Sequence, residues 1–218
     1  MIDFLRFYPP ESGFFEELFD GYSLAICFCE SDFRPESRPG QEESIITGSL
    51  VRAETPGELH KKLRKARGFV GVMSSSVKVN REAIMRRKVD ALLDFEDRAI
   101  DYPSLKLAAE KDVVIEVSLS KLLRTRGFRR MKLLDETRLL LRLLLKFETP
   151  FVLTTGASNV MELRPRKQLY RFFSFLARDA GIGEEVLRVA DETGKRIYRR
   201  LLNEKYLMDG LEIEEEIE

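Results

Sequence analysis

Short apolar runs alternate along this chain with stretches of helical periodicity. Residues 22–29 (YSLAICFC), 44–51 (SIITGSLV), 69–73 (FVGVM), 90–95 (DALLDF), 113–119 (VVIEVSL) and 151–155 (FVLTT) each fit a buried strand, and residues 3–7 fit a first one. Runs of this length that are apolar on both faces are the mark of parallel strands covered on each side. Helices are predicted between them, over residues 56–66, 80–87, 102–111, 131–147, 166–180, 184–190 and 193–206. The first has Thr55 to cap it, Pro56 in its first turn and Glu58 three residues after the cap. The alternation predicts an α/β fold with a parallel sheet. An open doubly wound sheet would carry a glycine-rich turn after its first strand, and none is present. A compact TIM-like (β/α) barrel with outer helices is the preferred architecture.

Length and composition narrow the reading further. The chain has 218 residues and a mass of 25.3 kDa, which suits one domain over residues 1–218. Two cysteines exclude a disulfide scaffold, and one histidine excludes a histidine-rich metal cluster. No apolar window approaches the roughly 18 residues that suggest a membrane span. Asp3 and Arg6 interrupt the first apolar stretch, unlike a signal peptide, so a cytoplasmic protein with no membrane association is expected.

The net charge of zero hides an uneven distribution. Residues 1–60 sum to −8, residues 61–207 to +14 and residues 208–218 to −6. Residues 208–218 read as a flexible acidic tail. The basic middle calls for a polyanionic partner, most simply nucleic acid; the alternative is a solvated surface neutralised by its two ends.

Most candidate chemistry in the sequence has a plain structural explanation. His60 has no second histidine to work with and reads as a surface residue. Cys27 and Cys29 share one strand face and read as small buried hydrophobes. Gly181-Ile182-Gly183 separates two helices and reads as a turn rather than a phosphate loop. Asp94, Glu96 and Asp97 end one strand and Glu116 sits inside another, where carboxylates could hold magnesium or act as acid and base. No further ligands are evident, so no catalytic or metal-binding residue is assigned.

Two basic constellations are more informative. Residues 121–132 (KLLRTRGFRRMK) read as a loop that carries Lys121, Arg124, Arg126, Arg129, Arg130 and Lys132 without an acid, with Phe128 placed to stack on a base. The last strand ends in Thr154-Thr155-Gly156, and a small polar loop then leads to Arg164, Arg166, Lys167 and Arg171 around a helix start at Pro165. Lys78 and Arg81 fall in the loop after the fourth strand, on the same barrel face. The RNA-binding candidates are therefore Lys78, Arg81, Lys121, Arg124, Arg126, Arg129, Arg130, Thr155, Arg164, Arg166 and Lys167.

Residues 89–93 (VDALL), 111–119 (KDVVIEVSL), the long helix, 151–157 (FVLTTGA) and 163–166 (LRPR) resemble archaeal ribonuclease P protein component 3, the family similar to the eukaryotic p30 subunit. The resemblance spans roughly residues 20–200. It implies a barrel related to the polymerase and histidinol phosphatase superfamily. It also implies a non-catalytic subunit of the ribonucleoprotein that removes the 5′ leader from precursor tRNA. The implied partners are ribonuclease P RNA, protein component 2 and the other protein subunits, with precursor tRNA engaged indirectly. The chain itself would need no cofactor, and magnesium would serve the RNA. Arg164 matches the family's arginine after the small-residue loop, and Thr154, Thr155 and Ala157 match the loop itself. Relatives often carry Gly-Ile-Asp-His where this chain reads Ile100-Asp101-Tyr102-Pro103. The competing reading is a metal-dependent phosphoesterase on the same barrel, a class that relies on several histidines. A further one is a small-molecule enzyme using Asp94 and Arg164.

Overall fold

Seven parallel strands pair in chain order: β1 (Ile2–Leu5), β2 (Leu24–Glu30), β3 (Ile45–Arg52), β4 (Val70–Met73), β5 (Ala91–Leu92), β6 (Val114–Ser118) and β7 (Phe151–Thr154). The computed structural model describes residues 1–9, 19, 21–30, 45–178, 181–202, 206–208 and 211–212. The sheet curls until β1 stands beside β7, giving the nearly closed barrel that the strand pattern predicts. No ladder joins this last pair. The Asp3 carboxylate instead accepts the Thr155 N–H at 2.7 Å and the Thr155 O–H at 2.6 Å, and the Arg6 N–H donates to the Ala157 carbonyl at 2.7 Å.

Alternation along the strands sorts two cores. Ile2, Phe4, Leu24, Ile26, Phe28, Leu50, Ala91, Val114 and Val152 fill the barrel. Val51, Val70, Val72, Leu92, Ile115, Val117, Phe151 and Leu153 point outward. These meet α1 (Pro56–Lys65), α2 (Val77–Ile84), α3 (Tyr102–Lys111), α5 (Gly127–Lys146), α6 (Arg166–Arg178) and α7 (Gly183–Leu202). The short α4 (Ser120–Arg124) lies between β6 and α5. Inside, Phe4 and Phe28 meet edge to face with centroids 5.1 Å apart. Gly71 makes room for that ring, because a Cβ there would lie 2.5 Å from Phe28 Cε1.

Helix α7 also stops the N-terminal end of the barrel. Its Ile197 belongs to the interior cluster, with Leu201 and Leu202 packed against it. Residues 184–190 and 193–206, read as two helices, are continuous through Gly194 as far as Leu202. A Cβ at Gly194 would meet Ile2 Cγ1 at 3.6 Å and Ile2 N at 3.7 Å, which is ordinary contact. Glycine inside a helix costs about 1 kcal/mol relative to alanine. Gly194→Ala is therefore expected to stabilise the protein by about 0.5–1 kcal/mol, seen as a rise of a few degrees in a thermal melt. A lowered melting temperature would show that α7 cannot give way against β1.

Other departures have local causes. The strand read over residues 90–95 stops after Leu92, and the Asp94 N–H turns to the Glu116 carboxylate at 2.6 Å instead of a neighbouring strand. The helix read over residues 80–87 starts earlier, with Ser76 Oγ accepting the Val79 N–H at 3.4 Å. Lys78 and Arg81 thus stand on a helix rather than in a loop. The stretch read as the loop 121–132 is mostly helix, divided between α4 and the first turns of α5. Beyond α7, β8 (Tyr206–Met208) pairs antiparallel with β9 (Leu211–Glu212). The rest of the acidic tail, and residues 10–18, 20 and 31–44 of the acidic N-terminal region, lie outside the described residues.

Candidate nucleic-acid interface

In a parallel barrel the C-terminal strand ends and the loops after them share one face. That mouth has a buried ionic floor. Glu116, in the middle of β6, is fully buried. It pairs with Arg6 from the end of β1 and accepts the Thr154 O–H at 2.6 Å, besides the Asp94 N–H already noted. Asp94, also buried, pairs with Lys121 at 2.8 Å and Arg98 at 3.2 Å, and its Oδ2 accepts the Ser118 N–H at 2.8 Å. Burial raises the Asp94 carboxyl, but the cations Arg98 and Lys121 and the Ser118 N–H outweigh it and hold the group below its ordinary range. Asp94 is thus locked as an anion between two fixed cations, a poor arrangement for a group that must exchange protons. Among the described residues no three of His, Cys, Asp and Glu are grouped to hold a metal ion.

The rim is built where the loops after β6 and β7 meet. Arg124, at the end of α4, grips Glu162 through Nε at 2.7 Å and Nη2 at 2.6 Å, and its Nη2 donates to Ser158 Oγ at 2.7 Å. Glu162 Oε2 also accepts the Ser158 N–H at 2.8 Å. Burial raises the Glu162 carboxyl, but Arg124 and that N–H carry it below its usual value, and Glu162 in turn raises Arg124. The two basic constellations of the sequence are therefore neighbours, joined by a bidentate pair.

The eleven candidates divide by position. Lys78, Arg126 and Lys167 are exposed and have no carboxylate partner among the described residues. Arg81 pairs with Asp101 at 2.6 Å, and Arg129 pairs with Asp97 at 2.8 Å. Arg130 Nε donates to the Thr125 carbonyl at 2.7 Å. Arg164 Nη1 donates to the carbonyls of Met161 at 2.8 Å and Leu163 at 2.6 Å. Arg166 pairs with Asp191 at 3.1 Å and lies over the Tyr170 ring. Two candidates are not on the surface. Lys121 is buried because its ammonium neutralises Asp94, and Thr155 is buried because both its donors serve Asp3 at the barrel seam. Asp94 and Arg164, once candidates for one active site, have separate sets of partners.

Phe128 stands 82% exposed at the start of α5, near the exposed Met131 and flanked by Arg126, Arg129 and Arg130. A bare ring between cations suits stacking on an unpaired base. Sequence reasoning missed Arg6 and Arg98. The available signal was the charge of Glu116 inside an apolar strand, which required buried partners without naming them. His60 is a half-exposed surface residue on Glu82, Cys27 is buried, and Cys29 is partly so.

No described helix is long and apolar enough to cross a membrane. Comparison with known proteins agrees with the barrel. A chain of a cryo-EM structure of archaeal ribonuclease P with mature tRNA superposes with a TM-score of 0.76 over all of both chains, at 21% identity. Ribonuclease P protein component 3 of Archaeoglobus fulgidus is 43% identical over 99% of this chain and 96% of its own length. The component 3 protein of Methanosarcina barkeri is 29% identical, covering 90% of this chain and 85% of its own. The family model described as RNase P subunit p30 matches residues 38–193. With most of its length matched to that model and a relative of this identity along nearly all of it, the chain belongs to the RNase P subunit p30 family, the protein component 3 subunits of ribonuclease P.

Proposed function

We propose that the chain is a non-catalytic subunit of a ribonuclease P that removes the 5′ leader from precursor tRNA in the cytoplasm. It would bind and support the RNA of the enzyme in company with protein component 2 and the other protein subunits. Precursor tRNA would be engaged through the RNA, and magnesium would be required by the RNA rather than by this chain. Family membership supplies the setting. The observation that carries the non-catalytic role is the filled mouth of the barrel. Its central carboxylates, Asp94 and Glu116, are taken up by Arg98, Lys121 and Arg6, where a phosphoesterase would keep them open to metal or water. The phosphoesterase reading is not favoured.

The pure chain is expected to release nothing from precursor tRNA or from phosphomonoesters in magnesium or manganese. Added with component 2 to ribonuclease P RNA, it is expected to raise leader removal above that of the RNA alone. Turnover that follows the chain through successive purification columns would overturn the non-catalytic role. Separate elution from component 2, with no gain in RNA cleavage on adding both, would overturn the subunit role.

A further inference from the structure

Among the described residues, a group of cations without acid partners lies away from the mouth. Helix α1 and the turn into β4 carry Lys61, Arg64, Lys65 and Arg67, and the turn from α2 into β5 carries Arg87 and Lys88. All six are exposed, and among the described residues none has a carboxylate within ion-pair distance. The two segments touch. Lys88 Nζ reaches the Arg64 carbonyl at 3.5 Å, and His60 on α1 meets Glu82 of α2 at 3.0 Å. Arg86 pairs with Glu82 and reaches His60 Nε2 at 2.8 Å, so the nearby acid is already engaged. The last turn of a helix favours cations, which accounts for Arg64 and Lys65. It does not account for Arg67, Arg87 and Lys88, which lie beyond the helices.

The contrast with the mouth is direct. There Arg81, Lys121, Arg124, Arg129 and Arg166 each have an acid that a polyanion would have to displace, and Lys78, Arg126 and Lys167, which have none, lie on three separate segments. On the α1 and α2 turns no partner needs displacing, and self-repulsion among six cations is relieved only by an external anion. Because helices of a parallel barrel run back against the strands, these turns belong to the opposite end of the barrel.

We propose that this second cationic surface, Lys61, Arg64, Lys65, Arg67, Arg87 and Lys88, contacts the phosphate backbone of the RNA. The proposal rests on the subunit reading above and adds a location to it. Counterion release makes it measurable, since each lost phosphate contact lowers the salt slope of binding by roughly 0.7–0.9 in log units.

The full chain is to be titrated with an archaeal ribonuclease P RNA transcript across a range of salt. The surface variant combines Arg64→Gln, Lys65→Gln, Arg87→Gln and Lys88→Gln. A mouth variant combines Lys78→Gln, Arg126→Gln and Lys167→Gln. A charge-matched control combines Lys106→Gln, Arg142→Gln, Lys146→Gln and Arg178→Gln, all exposed elsewhere. The expected result is a slope about 2.8–3.6 smaller for the surface variant and an unchanged slope for the control. An unchanged slope for the surface variant overturns the proposal and, where the wild type binds RNA, leaves the subunit reading standing. An equal fall in the control overturns it too, because the attraction is then diffuse. Loss of component 2 binding with the RNA slope intact would give the surface to a protein and overturn it. A wild type without salt-dependent affinity for RNA would remove both readings.

Discussion

Replacing Glu116 with alanine is expected to destabilise the protein by about 3–5 kcal/mol, the usual cost of removing one partner from a buried ion pair. Glu116 receives Arg6, Asp94 and Thr154 on its two oxygens, so its removal abandons three donors at once. The Arg6 side chain is only 4% exposed, and its Nε and Nη1 already lack partners. Losing the carboxylate would leave a full positive charge in the barrel mouth. A loss this large is a sizeable part of the roughly 5–15 kcal/mol that holds such a domain together, so a reduced yield of folded protein is expected. Glu116→Gln keeps an acceptor for one donor and is expected to fall between wild type and alanine. The double variant Arg6→Met with Glu116→Leu removes the stranded charge and is expected to recover part of the loss. Urea midpoints for the four proteins rank their stabilities and show whether removing the stranded charge recovers part of the loss. A Glu116→Ala protein within 1 kcal/mol of wild type would show that water reaches Arg6 and that the floor is not closed.

How much of this was readable in the sequence depended on the range of the interaction. Strands β2, β3, β4, β6 and β7 fall within about two residues of their apolar runs; β4, β6 and β7 are buried along their whole length, while β2 and β3 are exposed at their ends and still keep enough apolar residues to be seen. Helix α5 was placed too late. It opens on Gly127 at φ 56° after Arg126, with no side chain bonding the first turn, so the usual start signals are missing. Helix α7 was split at Thr193-Gly194, where glycine looks like a break but lies within a continuous helix. The cations of residues 121–132 were all visible, and their partners were not. Glu162 is 38 residues from Arg124, and Asp97 is 32 from Arg129. An acid that neutralises a cation from that distance leaves no local mark. The count of positive charge therefore pointed to the mouth, although six cations without an acid partner stand on α1 and the turns after α1 and α2. The seam at Asp3 was hidden for the same reason, with its partner 152 residues away.

That seam should make stability depend on pH in a direction unusual for an aspartate. Burial raises the Asp3 carboxyl to about 7, against the opposing bonds from Thr155 and the Phe4 N–H, with Glu116 adding to the rise. In the unfolded chain the same group titrates near 3.8. Between these values the folded state binds more protons than the unfolded state, so stability falls as pH rises. The contribution is fully present below about pH 4 and is lost progressively as pH rises through 7. Its full size is on the order of 4 kcal/mol. Asp3→Asn removes the titration while keeping an amide oxygen for the Thr155 N–H. The amide NH₂ can also donate to Thr155 Oγ1. The variant is therefore expected to be comparable to wild type below about pH 4, to gain on it steadily between about pH 4 and 7, and to keep a constant lead above that. Denaturant midpoints for both proteins across that range measure the difference. Parallel curves would mean that Asp3 titrates alike in both states and that the seam between β1 and β7 is open to water.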